Sequence, residues 1–384
     1  MDPHIVNPRP EGTRLVHWSY DSPWNPLFGG GGAQRDWEIL RRLQGKWRVD
    51  YRVGGFPGAT APAGVVDRVE FLGSGTGRWG GRIAYARAAQ RRAAAESPRD
   101  GIWSISPSIF APVPAYLAHP ERTAVSLFHL VGWGAWRKYG PMGLVAIWHE
   151  RQILSRMRHF LCINNATAAT VRAARPDASV DVVPTGFTPL AEVAPEETGP
   201  VVLFFGRLDV YMKGVDRLIE AFATVGERIP DVRLVLAGRA DAAVVAQVED
   251  LLRGHPHRDR VRVEPNPDEA RKATLFRSAS VFCSPSRFEG WCIAAVEAQS
   301  CGVPVVASTA DGFLDSVDDG VSGLLVPNGD GIVPGVADAL VRILSDRDLA
   351  ARLGEGGRAK AAGLTWDAVA ARHGEIFRRI AGGS

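Results

Sequence analysis

The chain has 384 residues, enough for two or three domains of ~100–200 residues each. With 46% hydrophobic and 23% charged residues it buries a core, which excludes disorder and collagen-like repeats as descriptions of the whole. The net charge of +3 hides an asymmetry: residues 1–190 carry 23 basic against 14 acidic side chains, residues 191–384 carry 22 against 28. A basic half before an acidic half fits two domains with different partners, although solvated helix faces give the same sums. Only 5 of the 45 basic residues are Lys, the usage of a GC-rich bacterial genome. The longest uncharged stretch, 101–118, contains Pro107, Pro112 and Pro114 and falls short of the ~20 apolar residues of a spanning helix. The N-terminus shows no basic segment followed by an apolar one, and Cys162, Cys283, Cys292 and Cys301 lack disulfide-scaffold or metal-site spacing. The expectation is a soluble cytoplasmic protein.

In chain order, β-rich runs fall at 14–19, 47–53, 66–72, 102–105, 124–129, 160–163 and 180–183, with helical patterns at 34–43, 82–95 and 142–157 between them. Residues 184–200 lack periodicity and read as a linker. The second half restarts with an apolar run at 201–205, suited to a strand buried on both faces. Helix 215–225, strand 232–237, helix 242–252 and strands 261–264, 280–283 and 303–307 follow. Residues 365–380 read as a closing helix with Thr365 as N-cap and Trp366 as anchor. The alternation predicts α/β architecture with parallel sheets, two doubly wound domains facing a central cleft.

The strongest chemical motif is Phe288-Glu289-Gly290-Trp291-Cys292-Ile293-Ala294-Ala295-Val296-Glu297. Gly290 breaks the helix, so helical structure begins near Cys292 or Ile293, with Glu289 at its mouth and Glu297 about one turn inside. Eight residues at ~1.5 Å rise separate the carboxylates by roughly 12 Å, a span for a sugar hydroxyl at one end and a ribose diol at the other. A helix N-terminus adds N–H donors for a pyrophosphate between them. Alone, the pair reads equally as a cap-region acid and a solvated one. A second motif, Gly206-Arg207-Leu208 followed by Lys213-Gly214, places a planar fork and a point charge at a strand-to-helix turn, where both reach one diphosphate.

These motifs closely resemble the family-4 retaining glycosyltransferases of the GT-B fold. The matching text is GRLDVYMKGVDRLIEAF (206–222), VRLVLAG (232–238), SPSRFEGWCIAAVEAQSCGVPVVAS (284–308) and GVSGLLVPNGD (320–330). The resemblance is specific across 200–330 and looser in the first half. It implies that Arg207 and Lys213 hold the donor pyrophosphate, that Glu297 accepts from the ribose hydroxyls and that Glu289 contacts the transferred sugar. It also sets the backbone N–H groups of Trp291, Cys292 and Ile293 against that sugar. The family carries a small Gly where this chain has Cys292, so sugar identity does not carry over from relatives. As a nucleophile Cys292 lacks a recognisable base.

The first half offers weaker matches. Of the run Gly29-Gly30-Gly31-Gly32, the pair Gly31 and Gly32 maps to the family's Gly-Gly turn, and His129 maps to a histidine beside the reacting centre. Without the match, the glycines read as a ligand-free loop and His129 as structural. The letters Asp346-Arg347-Asp348 read as a helix break with an N-cap rather than a metal-binding DxD, and Gly73-Ser74-Gly75-Thr76-Gly77 as a turn. Arg78, Arg82, Arg87, Arg91 and Arg92 spread around a helix axis, which weakens a membrane reading of that helix. Trp18, Tyr20, Trp24, Phe28, Trp133 and Trp136 are aromatic candidates for an acceptor surface, in part core.

The expected organisation is an acceptor-binding domain at 1–188, a linker at 189–199, a nucleotide-sugar-binding domain at 200–363 and a helix at 364–384 packing back on the first domain. The expected activity is retaining, metal-independent transfer of a hexose from a nucleoside-diphosphate sugar, UDP before GDP. The acceptor is a hydroxyl on a sugar, a lipid-linked sugar or a natural-product aglycone, in cell-envelope or natural-product biosynthesis. No cofactor and no nucleic acid are expected, and peripheral membrane contact has weak support. The alternatives are a GT-B sugar-nucleotide epimerase and a non-catalytic nucleotide-sugar-binding subunit; a dehydrogenase lacks its dinucleotide fingerprint after the first strand.

Overall fold

Short apolar runs separated by amphipathic helices pair into two parallel sheets in the computed structural model, which describes residues 13–25, 31–75, 77–99, 101–108, 110–132, 134–196 and 199–382. The chain divides into two compact units, Met1–Thr185 with Trp366–Ser384, and Gly186–Thr365.

In the first unit the strands are β1 (Arg14–Ser19), β2 (Arg48–Gly55), β3 (Arg68–Ser74), β4 (Gly101–Ser106), β5 (Thr123–Leu127), β6 (His159–Cys162) and β7 (Ser179–Val182). Among the described residues they form one sheet in the order β3-β2-β1-β4-β5-β6-β7, every pair parallel. The crossovers carry α1 (Gly31–Leu43), α2 (Gly77–Ala94), α3 (Gly134–Tyr139), α4 (Pro141–Arg156) and α5 (Asn165–Ala174). Because β1 and β4 are covered on both faces, their side chains alternate between two cores: Val16 and Trp18 on one, Leu15 on the other. Trp18 and Tyr20 therefore belong to the core and not to an acceptor surface. Trp18 meets Trp103 edge-on at 5.5 Å and lies under the buried Arg52 guanidinium at 4.4 Å, while Tyr20 packs on Phe56 and Tyr85. Trp24 stands edge-on to Trp37 at 4.8 Å; Phe28 and Trp133 lie outside the described residues.

The second unit contains β8 (Val201–Phe205), β9 (Arg233–Gly238), β10 (Val261–Pro265), β11 (Val281–Ser284), β12 (Val305–Ser308) and β13 (Gly323–Val326). Its sheet order among the described residues is β10-β9-β8-β11-β12-β13, again parallel throughout. Its helices are α6 (Val215–Arg228), α7 (Ala242–Leu252), α8 (Glu269–Ser278), α9 (Ile293–Ser300), α10 (Asp311–Ser316), α11 (Ile332–Ser345) and α12 (Arg347–Ala362). The apolar run at 201–205 is a strand buried on both faces: Val202 and Phe204 enter one core, Val201 and Leu203 the other. The strand at 323–326 was embedded in a motif with no strand reading of its own. Asp346 accepts from the Leu349 N–H at 2.9 Å, so the DxD letters cap α12.

The segment read as a linker is held against the second unit. Leu190 is buried in its core, Arg277 donates to Glu192 at 2.6 Å, and the Glu196 N–H donates to Ser278 Oγ at 2.8 Å. Beyond α12 the chain returns to the first unit as α13 (Trp366–Gly382). There Phe377 meets Trp47 at 6.0 Å, and the buried Arg35 donates to Val183 O at 3.0 Å while its Nη2 lies 3.3 Å from His373 Nε2. Burial pushes the His373 imidazole well below its ordinary range, so it is neutral and accepts there, and it lowers the Arg35 guanidinium to about 10.

Candidate functional site

In the second unit the chain leaves β8 toward β9 on one side, while β11 lies on the other. The loops after β8 and β11 therefore flank the point where strand order reverses, the place where doubly wound sheets take ligands beyond their carboxyl ends. Both predicted motifs lie on these two loops.

The first loop runs from Gly206 to Gly214. Asp209 organises it: its Oδ1 accepts from the Met212 N–H at 2.9 Å and its carbonyl from the Lys213 N–H at 3.0 Å. Gly214 ends the loop at φ +69°, and a Cβ there would lie 2.2 Å from Pro285 O, so only glycine lets the two loops approach. Arg287 joins them further. Its backbone N–H donates to Met212 O at 3.0 Å, its guanidinium grips Asp216 with two 2.8 Å hydrogen bonds, and it covers the Tyr211 ring at 4.3 Å.

Across this weld Lys213 Nζ donates to Glu289 Oε2 at 2.6 Å. The two side chains are 22% and 8% exposed, so each charge depends on the other for solvation. Arg207 instead extends into solvent, 64% exposed, with Asp209 Oδ2 at 3.7 Å. The structure thus brings Lys213 and Glu289 together and leaves Arg207 free to swing.

Helix α9 begins at Ile293 with Cys292 as its N-cap. Glu289 stands four residues ahead of the helix, so helical rise applies only from Ile293 and not across the whole Glu289–Glu297 interval. The Trp291 side chain packs with Phe187, Val296 and Ala361, and its buried indole N–H has no partner among the described residues. First-turn N–H groups have no intrahelical acceptor and supply the positive end of the helix. Burial, with Glu289 beside it, pushes the Cys292 thiol up to about 12, so it is no nucleophile at neutral pH.

Glu297 is 5% exposed and has a partner that no motif named: Lys272 on α8 donates to its Oε1 at 2.7 Å, with its ammonium 5.6 Å from the Phe205 ring centroid. Burial raises the Glu297 carboxyl above its ordinary range and Lys272 opposes that rise. A signal for Lys272 lay in composition. Lysine is scarce here, and two of the 5 lysines sit on the two glutamates of the motif.

In the first unit Gly31 and Gly32 are the opening residues of α1, and a Cβ on Gly32 would lie 3.2 Å from the Phe128 ring. Gly29 and Gly30 lie outside the described residues. His129 does not end a strand: β5 stops at Leu127, because Glu150 on α4 accepts from the Val131 and Gly132 N–H groups at 2.6 and 3.0 Å and turns the chain off the sheet. His129 is exposed there and borders a cavity of about 70 Å³ with Ser126, Phe128 and Glu150.

Comparison with known proteins follows this division. The family described as glycosyl transferases group 1 matches residues 190–360, nearly all of the second unit. The chain is 38% identical over 181 residues to the D-inositol 3-phosphate glycosyltransferase of Xylanimonas cellulosilytica, covering 46% of this chain and 42% of that protein. It is 35% identical over 204 residues to the phosphatidyl-myo-inositol mannosyltransferase of Mycolicibacterium smegmatis, covering 53% and 51%. The chain thus spans about half the length of the curated relatives it matches. Among solved structures, sucrose-phosphate synthase of Thermosynechococcus elongatus superposes with a TM-score of 0.79 at 22% identity, covering 97% of this chain and 100% of that one. Anabaena HepE in complex with UDP-glucose gives 0.72 at 17%, covering 95% and 99%. These likenesses establish the GT-B fold, two Rossmann-like units in one chain, and within its second unit residues 190–360 match the group 1 glycosyl transferase family.

Proposed function

We propose that this protein is a retaining, metal-independent glycosyltransferase that moves a hexose from a nucleoside-diphosphate sugar, UDP before GDP, to a hydroxyl of a cell-envelope glycan or glycolipid. The observation that carries the reading is the Lys213–Glu289 ion pair at the strand-order switch point, ahead of the α9 N-terminus.

In this reading the donor diphosphate enters between the two loops. It replaces Glu289 as the partner of Lys213, and the exposed Arg207 closes on its other oxygens. Glu289, released, accepts from hydroxyls of the transferred sugar. Glu297 keeps one oxygen on Lys272 and offers the other to the ribose diol. Once the donor is bound, the two cations and the helix N–H groups stabilise the charge that grows as the anomeric C–O bond breaks. The leaving phosphate oxygen takes the proton of the acceptor hydroxyl, whose oxygen forms the new glycosidic bond on the same face. Gly31 and Gly32 are assigned to donor contact and His129 to the chemistry on the family resemblance alone. The supporting relatives are named for inositol-containing acceptors, and HepE has been solved in complex with UDP and with UDP-glucose.

A thermal-shift titration with UDP, GDP, TDP, ADP and NAD in the presence of EDTA tests this. A ligand at 100 times its Kd stabilises by ~2.7 kcal/mol, which moves the melting point by a few degrees. The expected result is a shift with UDP that Arg207→Ala loses. A shift with NAD alone, or none until a metal is added, overturns the proposal.

A further inference from the structure

The α3–α4 hairpin of the first unit turns large apolar side chains to water. Trp136 is 45% exposed, Met142 40%, Leu144 47% and Trp148 47%. The two helices pack on each other: Ala135, Ala146 and Ile147 share a small core, and Gly143 lies against the Ala135 carbonyl. On α4 the opposite face, with Ile147, Glu150 and Ile153, is buried, so Leu144 and Trp148, four residues apart, share the outer face with Arg151. Two tryptophans and two aliphatic chains exposed on one hairpin mark an interaction surface.

Charge identifies what that surface meets. Segment 134–158 contains Arg137, Lys138, Arg151, Arg156 and Arg158, and Glu150 is its sole acid. Glu150 is turned inward onto the Val131 and Gly132 N–H groups. Arg151, Arg156 and Arg158 are exposed, and Arg158 pairs with Glu121 at 2.8 Å. Indole rings and aliphatic chains with arginines near them, and no outward carboxylate on the hairpin's own residues, match the interface of an anionic bilayer, where tryptophan settles at headgroup level and arginine reaches lipid phosphates.

We propose that the α3–α4 hairpin docks the chain on an anionic membrane surface and that the acceptor is carried by a lipid. The same Glu150 that faces away from the membrane fixes the turn just after His129, so the docking face and that histidine belong to one unit. Of the two kinds of inositol acceptor in the relatives' names, this favours the phosphatidyl-borne one over the free phosphate. The acceptor part rests on the proposed transferase reading; the docking part does not.

The test is flotation of the full chain with vesicles of phosphatidylcholine alone or mixed with phosphatidylglycerol, at low and high salt. The expected result is flotation only with phosphatidylglycerol, weakened by salt. The Leu144→Ser/Trp148→Ser variant stays behind while keeping its circular dichroism spectrum and its UDP-induced thermal shift, and Trp148→Phe still floats. Each arginine replaced by glutamine at 151 or 156 weakens partitioning about fivefold. A wild-type chain that fails to float at low salt, or a serine variant that floats as well as wild type, overturns docking. So does a wild-type dimer in sedimentation that the serine variant dissociates, which assigns the face to a second copy. A wild-type chain that floats but shows no UDP shift counts against the transferase and leaves docking intact.

Discussion

Lys213 Nζ lies 2.6 Å from Glu289 Oε2, on two loops held together by Gly214 against Pro285 and by Arg287 on Asp216. The pair satisfies itself, so in the proposed reading a diphosphate displaces Glu289 to reach Lys213. Glu289→Gln removes that competitor. Free UDP, which carries no sugar for Glu289 to hold, binds the variant more tightly than wild type, whereas the transfer rate falls. Calorimetry with UDP and turnover with UDP-sugar check the two halves; weaker UDP binding in the variant contradicts the exchange.

Arg207 is 64% exposed and contributes little to the fold. In the proposed reading its removal weakens diphosphate binding and also takes a donor from the transition state, where one lost donor costs ~2.7–4 kcal/mol, roughly 100- to 1,000-fold in rate. Arg207→Ala keeps the wild-type melting point and loses turnover by that factor. Near-full activity in the variant disposes of its assigned role.

Lys272 counters the burial that raises the Glu297 carboxyl. A raised carboxyl takes its proton at higher pH than usual, and a protonated Glu297 no longer accepts from two ribose hydroxyls. UDP affinity therefore falls as pH drops toward that raised value, and in Lys272→Met the fall begins at higher pH. Stability moves the other way. The folded state binds the proton more tightly than the unfolded one, so folding is favoured as pH falls through the raised pKa. UDP titrations across pH, repeated with 2′,3′-dideoxy-UDP, read the effect; a dideoxy analogue with the same pH profile as UDP rejects it.

Gly214→Ala places a methyl group 2.2 Å from Pro285 O at φ +69°. A left-handed non-glycine residue costs ~1–3 kcal/mol, and the clash parts the loops. The expected outcome is a melting point lower by several degrees and weaker UDP binding. Gly254→Ala, also at positive φ (+79°) with nothing within 4 Å of the added methyl, is the control that loses stability without affecting UDP.

The strand-helix alternation was legible because parallel sheets covered on both faces demand runs such as 201–205, whose side chains fill two cores in turn. The β13 strand was not, since four residues inside a loop-like motif carry no period. That Trp18 and Tyr20 are the core members of the aromatic set was not legible, because an aromatic at the end of β1 looks the same in one dimension whether it points to a core or to a ligand. The end of β5 was set by the side chain of Glu150, more than twenty residues downstream.

The sequence by itself determined the two α/β halves and the motif residues Arg207, Lys213, Glu289 and Glu297, because periodicity and strand-to-turn chemistry are local. Only the tertiary structure decided which charges pair. Lys213 neutralises Glu289 across 76 positions and Lys272 neutralises Glu297 across 25. The placement of α13 on the first unit and the outward turn of Leu144 and Trp148 are likewise tertiary. Burial and pairing depend on neighbours that chain order does not reveal, and they set the state in which each motif residue meets its ligand.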